Sequence, residues 1–189
     1  MSEHKSKKRI ITTVVCTRDT DGKKTLAQVP ALGMSSTLFP GENLRGVLML
    51  TQGQQVTVFG DLAYEEYTTR EGEKGQNLVI FVDQVKEPGP TREPSAWVYL
   101  TLRTIKEGHY ALTAAGKPWI GTRALLSQGK DHDGKWNPAF FVEVKYFAQE
   151  DDDPLPAALS GKGVQFDAKG FLNKEEYLTS DGKKASKIV

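Results

Sequence analysis

A single cysteine, Cys16, stands in 189 residues, so no internal disulfide can form and no Cys-x-x-Cys metal spacing exists. A free Cys at the end of a β-branched run behaves as a small packed hydrophobe, and Cys16 is read as a strand residue. No apolar run approaches the ~20 residues that a membrane-spanning helix requires. The first nine residues carry Lys5, Lys7, Lys8 and Arg9 with no apolar stretch behind them, which excludes a secretory signal. A cytoplasmic protein is therefore expected. Charge of one sign is also missing: the net charge is +1, although an average of this kind can conceal a basic face. What remains, 38% hydrophobic and 26% charged residues, describes a soluble chain with room for two domains of roughly 90 residues each.

The most informative feature present is an internal repeat. The segment from Gly53 to Gly72 matches that from Gly163 to Gly182 at a constant offset of 110 residues, without a gap. Gly60 aligns with Gly170, Leu62 with Leu172, and Glu65-Glu66-Tyr67 with Glu175-Glu176-Tyr177. Two copies so far apart are too few and too long for a solenoid, so tandem related domains are expected. Within each copy the apolar residues alternate: Val56, Val58, Gly60 and Leu62 in the first, Phe166, Ala168, Gly170 and Leu172 in the second. A period of two describes a strand with one face on a core, and the glycine inside it marks a bulge or a sharp bend.

The rest of the chain is read around that repeat. Residues 1–9 form a basic arm, and 10–16 and 25–29 form strands joined through the turn at Asp19 to Gly22. Residues 33–41 supply a third strand, and 43–52, with Leu44, Val47, Leu48 and Leu50, a short helix. The returning strand of the first copy is Leu78 to Val85. Residues 86–95 hold three prolines and one glycine, which makes them a semi-rigid linker. Beyond it, strands are expected at 97–104, 116–126 and 140–147, a polar hairpin tip at 128–135, an acidic loop at 150–156 and at most one helical turn at 156–160. Five strands per domain, with a short helix before the fourth, describe an all-β protein of two tandem OB-folds, small five-stranded Greek-key barrels. The expected domains are 10–85 and 96–189.

The strand from Phe140 to Phe147 carries the strongest functional signal. Phe140, Val142, Val144 and Tyr146 suit a core. Phe141, Glu143, Lys145 and Phe147 share the other side, where burial would cost the two charges several kcal/mol each. The charges assign that side to solvent, and with it two exposed aromatics. An aromatic and charged stripe on a barrel suits stacked bases and tracked phosphates. Trp119, Trp136, Tyr67 and Tyr177 lie near hairpin ends, interleaved with Lys117, Arg123, Lys135, Lys169 and Lys174.

The stretch Leu159 to Tyr177, followed by Asp181-Gly182 and Lys187-Ile188-Val189, resembles the bacterial and phage single-stranded DNA-binding protein family. The matching features are a Lys-Gly before strand four, a Gly-x-Leu bend, an aromatic near the hairpin and an Asp-Gly turn. Phe140 to Phe147 is similar to the family's third strand, whose aromatics six residues apart stack on DNA; Phe141 and Phe147 have that spacing. Tyr177 falls where the family has a stacking Trp. Glu143 stands where the family carries an Arg between the two aromatics, and Lys145 is its nearest substitute. The family's acidic C-terminal tail has no counterpart. The resemblance covers most of 97–189 and reaches 53–85 only through the repeat.

Together these features imply a non-enzymatic protein that coats single-stranded DNA in replication, recombination or repair, with RNA as a further candidate ligand and no cofactor or metal. The expected contacts are Tyr67, Trp119, Arg123, Trp136, Phe141, Lys145, Phe147, Lys169, Lys174 and Tyr177. A homodimer would assemble four barrels. The alternative is an OB pair that holds a replication or translation complex together without touching nucleic acid. A metal-dependent nuclease built on Glu150, Asp151, Asp152, Asp153 and His132 is disfavoured, because adjacent carboxylates do not converge on one ion.

Overall fold

The computed structural model describes residues 7–21, 23–41, 44, 48–68, 70, 72, 74–88, 95–130, 132–150, 154–180, 182 and 184–189. The first five strands are β1 (Lys8–Cys16), β2 (Thr25–Val29), β3 (Met34–Pro40), β4 (Gln55–Thr68) and β5 (Lys74–Lys86). Their sequences alternate, and so does their burial: Ile10, Thr12, Val14 and Cys16 point inward, as do Val56, Val58, Leu62 and Tyr64. β1 pairs antiparallel with β4 from Arg9↔Asp61 to Val15↔Gln55, and with β2 at its far end. β2 pairs with β3, and β3 then runs parallel to β5 from Ser36↔Leu78 to Pro40↔Val82. β4 and β5 form the long hairpin. This circuit is a closed five-stranded OB barrel. The register slips between Phe59 and Gly60, a β-bulge that leaves Asp83 without a partner across the ladder. The Phe81 carbonyl occupies the space a Cβ at residue 60 would need, so only glycine fits there.

The second set comprises β6 (Ala96–Thr104), β7 (His109–Leu112), β8 (Pro118–Leu126), β9 (Phe140–Phe147), β10 (Gln165–Phe171), β11 (Lys174–Leu178) and β12 (Lys184–Ile188). β6 pairs with β8 and β10, β8 with β7 and β9, and β11 with β12. The ladders repeat those of the first barrel with the fourth strand divided at Leu172 and Asn173, except that among the described pairings β9 and β12 share no ladder to match that of β3 with β5. Leu172 still points into the core, and a single 3-10 turn, Ala157–Leu159, precedes β10 with Leu159 buried.

The two sets share one ten-stranded sheet because β1 pairs antiparallel with β6 from Lys8↔Leu100 to Thr12↔Ala96. Ile10 lies opposite Val98 at the centre of this ladder. Ile10 also faces Gly60 on β4, and Val98 faces Gly170 on β10, so the two halves are arranged about a local two-fold at that pair. One apolar cluster runs through both, from Leu38 and Ile80 to Leu126 and Phe140. The Tyr64 ring stacks on Phe140 with centroids 4.6 Å apart, a contact worth ~0.5–1.5 kcal/mol beyond its area. The side-chain amide of Gln128 acts as a missing strand residue: its Oε1 accepts from the Tyr64 N–H at 2.6 Å and its Nε2 donates to the Tyr64 carbonyl at 2.7 Å. At the opposite end the Lys7 ammonium binds Asp167 at 2.6 Å and donates to the Tyr99 hydroxyl.

Several expectations change. Strand β1 begins at Lys8, so Lys8 and Arg9 belong to the sheet and not to the N-terminal arm; ladders to β4 and β6 on both edges extend it. β7 is an additional strand, closed onto β8 by a Thr113–Lys117 turn. The helix expected at 43–52 is not helical over Leu48 to Gln52. There Leu48 and Leu50 are buried while Met49 is exposed, an extended alternation held by bonds between Thr20 and Leu50. Residues 43 and 45–47 of that segment, 89–94 of the linker and 151–153 of the acidic loop lie outside the described residues. Among the described residues no helix is long and apolar enough to cross a membrane, and no three metal-ligating side chains converge.

The Lys7 and Asp167 contact makes a pH test of the junction. Hydrogen bonds from Lys7 and then Thr101 hold the Asp167 carboxyl at about 2, below the usual carboxylate range. A depressed carboxylate contributes stability that is present above its unfolded value, near ~4, and is lost as pH falls through the folded value. In thermal melts, Asp167→Asn should lie below the parent at pH 7, and the gap should close between pH ~4 and ~2. A gap independent of pH would show that the ion pair does not staple the junction.

Candidate nucleic-acid interface

The pairing of β8 with β9 fixes the site. Trp119 stands opposite Phe147, Gly121 opposite Lys145, Arg123 opposite Glu143 and Leu125 opposite Phe141. All eight occupy the outer face, because Ile120, Thr122, Ala124, Phe140 and Val142 fill the inner one. Phe141 is 46% and Phe147 47% exposed, so the strand faces are as the charge pattern demands.

The aromatic groups are arranged in two stations. Trp119 stacks on Phe147 with centroids 5.9 Å apart and planes 29° from parallel, and the His109 ring meets its edge at 6.0 Å. The indole folds back over Gly121, where a Cβ would come within 2.7 Å of the ring. A glycine two residues along the strand thus lets the ring lie across the sheet and not stand away from it. At the second station the Arg123 guanidinium sits 5.2 Å from the Phe141 centroid, a cation–π contact along the diagonal of the ladder.

The charges of the stripe are paired. Lys145 binds Glu175 at 2.6 Å, Glu175 reaches Lys187 at 3.7 Å, and Lys187 binds Glu143 at 2.6 Å. These bonds explain why Glu143 and Lys145 are half-buried on a solvent-facing side. Lys145, expected as an available cation, is therefore engaged. The hydrogen bond from Lys145 lowers the Glu175 pKa, and that to Glu143 raises the Lys187 pKa. Tyr177, on the same side of β11 as Glu175, is 46% exposed with the Lys187 ammonium 5.8 Å from its ring. Beside it a cleft of about 390 Å³ is lined by Phe141, Tyr177 and Lys187 together with Tyr64 and Glu66 of the first barrel.

The remaining expected residues are dispersed. Trp136 is 66% exposed beyond the hairpin, with Lys130 5.0 Å over its ring, bordering a groove with Arg103 and Leu125. Lys169 projects from β10 over Tyr99 at 4.7 Å, on the sheet that joins the barrels and not on the stripe. Lys174 faces away from Glu175 and Tyr177 on β11 by strand alternation. Tyr67 belongs to the hairpin of the first barrel, its ring lying across the backbone of Gly75. Lys117 is tied to the Gln149 carbonyl at 2.9 Å. Sequence reasoning missed His109, Lys187 and Glu175. The turn residues up to Gly116, between Tyr110-Ala111-Leu112 and the strand at Pro118, were the signal for β7; Lys187 and Glu175 required the register of β11 with β12.

These strands and this face define an OB-fold chain with an aromatic and basic outer stripe. A solved structure of the single-stranded DNA-binding protein from Thermus aquaticus shares its fold. A deletion mutant aligns at a TM-score of 0.52 and 16% identity, over 90% of this chain and 88% of that one. The wild-type form aligns at 0.49 and 13% identity, over 90% and 86%. No known sequence-family profile and no curated protein matches the chain.

The role given to Gly121 is testable. Gly121→Ala should push the indole off Phe147, remove the near-UV dichroism of the pair and cost about 0.5–1.5 kcal/mol while far-UV dichroism stays unchanged. A near-UV spectrum identical to the parent's would mean the ring does not need the glycine.

Proposed function

We propose that the protein binds single-stranded DNA without strong sequence preference, by stacking bases on the β8 and β9 face while cations meet phosphates. The observation that carries this reading is the Trp119, Phe147, Phe141 and Arg123 array, exposed on the outer face of an OB barrel. Such faces bind single strands because every nucleotide has a base with a π-face and a charged phosphate. Similarity of fold to a protein named for single-stranded DNA binding supports it. The role would be to coat and protect strands in replication, recombination or repair. Trp119 and Phe147 form the first platform, Phe141 and Arg123 the second, and Tyr177 leads to the cleft shared with the first barrel. Lys169, Trp136, Lys174 and Tyr67 would serve as outlying contacts on a wrapped strand.

Oligo-dT titrated into the protein should quench tryptophan fluorescence, and the logarithm of its affinity should fall with that of salt by ~0.7 per phosphate neutralised. Phe147→Ala should weaken binding by roughly 1–3 kcal/mol with the melting temperature preserved. Salt-independent binding, or full affinity without Phe147, would refute the stacking mechanism. Oligo-rU run beside oligo-dT decides whether RNA is also a ligand.

The protein would act as a homodimer, bringing four barrels together by the commonest closed symmetry. Support comes from the outer face of the joined sheet. Phe171, Trp97, Ile11 and Phe59 form one register row across β10, β6, β1 and β4, with Phe171 61% exposed. Beside this row Arg9 is paired with Asp61 and Lys7 with Asp167 within the chain, so the apolar row is what a second copy related by a two-fold would cover. Light scattering at micromolar concentration should give twice the 20.9 kDa of one chain. A mass of one chain would leave a two-barrel monomer.

A further inference from the structure

We propose that Glu143 and Glu175 set the affinity of the β8 and β9 face, by holding Lys145 and Lys187 in ion pairs that an incoming phosphate must displace. The proposal rests on the single-strand-binding reading above. Its physical basis is the order of charges along the face. Lys145, Glu175, Lys187 and Glu143 form an unbroken chain of contacts at 2.6, 3.7 and 2.6 Å, and Glu143 also stands opposite Arg123 in the ladder. Three cations are thus offset by two carboxylates beside the Trp119, Phe147 and Phe141 rings.

The groove beside Trp119 is lined by Lys145, Lys187, Arg123 and Glu143 together, so a strand stacked on Trp119 and Phe147 brings its phosphates to these side chains. The side chains of Lys145 and Lys187 are 24% and 32% exposed. They are open enough for a phosphate oxygen to replace a carboxylate oxygen on the same ammonium. Each ammonium–phosphate contact formed in this way costs an ammonium–carboxylate contact, so each paired lysine adds little to affinity. The carboxylates also repel the phosphate that they compete with.

A second role is built into the same bonds. The described ladders give β9 a backbone partner only in β8, while Glu143 and Lys145 of β9 reach Lys187 of β12 and Glu175 of β11. The ion pairs span the seam where third and fifth strands would meet, and they close it with side chains. Removing one carboxylate charge should loosen the seam slightly while freeing a cation, so fold and affinity move in opposite directions.

Glu175→Gln and Glu143→Gln keep shape and hydrogen-bonding capacity while removing charge. Each should bind oligo-dT about two- to fivefold more tightly at low salt, the scale of an exposed ion pair. Glu65→Gln on β4 of the first barrel makes the same change of net charge away from the face and controls for it. Lys187→Gln should then cost more affinity in the Glu143→Gln background than in the parent. Affinity equal to that of Glu65→Gln, or a lowered melting temperature without tighter binding, would overturn the proposal and leave the pairs as seam closure alone. Absence of oligo-dT binding by the parent would instead withdraw the function from which the proposal starts.

Discussion

The antiparallel ladder between β1 and β6 is the constraint on which the rest of the structure depends. Each barrel needs its first strand paired on both edges, and each supplies the other's missing partner over Lys8 to Thr12 and Ala96 to Leu100. Without it, β1 would expose a row of unpaired N–H and C=O groups, the template that natural sheets avoid leaving open. The ladder also sets the relative position of everything attached. Tyr64 reaches Phe140, Gln128 reaches the Tyr64 backbone, and Lys7 reaches Asp167 only because the strands are joined in this register. The cleft between Tyr64 and Tyr177, with walls from both barrels, follows from the same pairing.

Polar groups at the stripe follow a different logic. A face that carries several cations cannot leave them side by side without repulsion. Here the cations are interleaved with carboxylates from β9 and β11 in one chain of contacts. The stacking groups are held by packing: Trp119 by Phe147, His109 and the bare backbone of Gly121, and Phe141 by the guanidinium above it. Rings fixed in this way lose little further freedom on contact with a ligand.

The sequence made the fold class legible because alternation is a local property. Val56 to Leu62, Phe166 to Leu172 and Phe140 to Phe147 each read as strands, and the exposure of Phe141 and Phe147 followed from two charges on their side. The bulge at Gly60 was readable for the same reason. What alternation could not supply was register between distant segments. The pairing of β1 with β6, the reach of Gln128 to Tyr64 and the capture of Lys145 by Glu175 all join residues far apart in the chain. Short elements also escaped: β7 has four residues, and Leu48 to Leu50 has leucines spaced as in either a helix or an extended segment. Of the candidate site, the two stations were legible, whereas Lys169 and Lys174 were grouped by charge alone and stand elsewhere.

The strand order also bears on how the chain can be made. Synthesis delivers β1 to β5 first, and together they complete every hydrogen-bonded pair of the first barrel except the edge of β1 from Lys8 to Thr12. That edge must wait until residues 96–100 emerge, because only β6 covers it. At a ribosomal pace of ~5–20 residues per second, the interval lasts seconds. During it, an exposed edge on one nascent chain can be met by the same edge, or by the β6, of a neighbour on the same message. The native ladder and an exchanged one would use the same hydrogen bonds. The short tether between β5 and β6 favours the native choice by keeping the correct partner at high local concentration from the moment it appears.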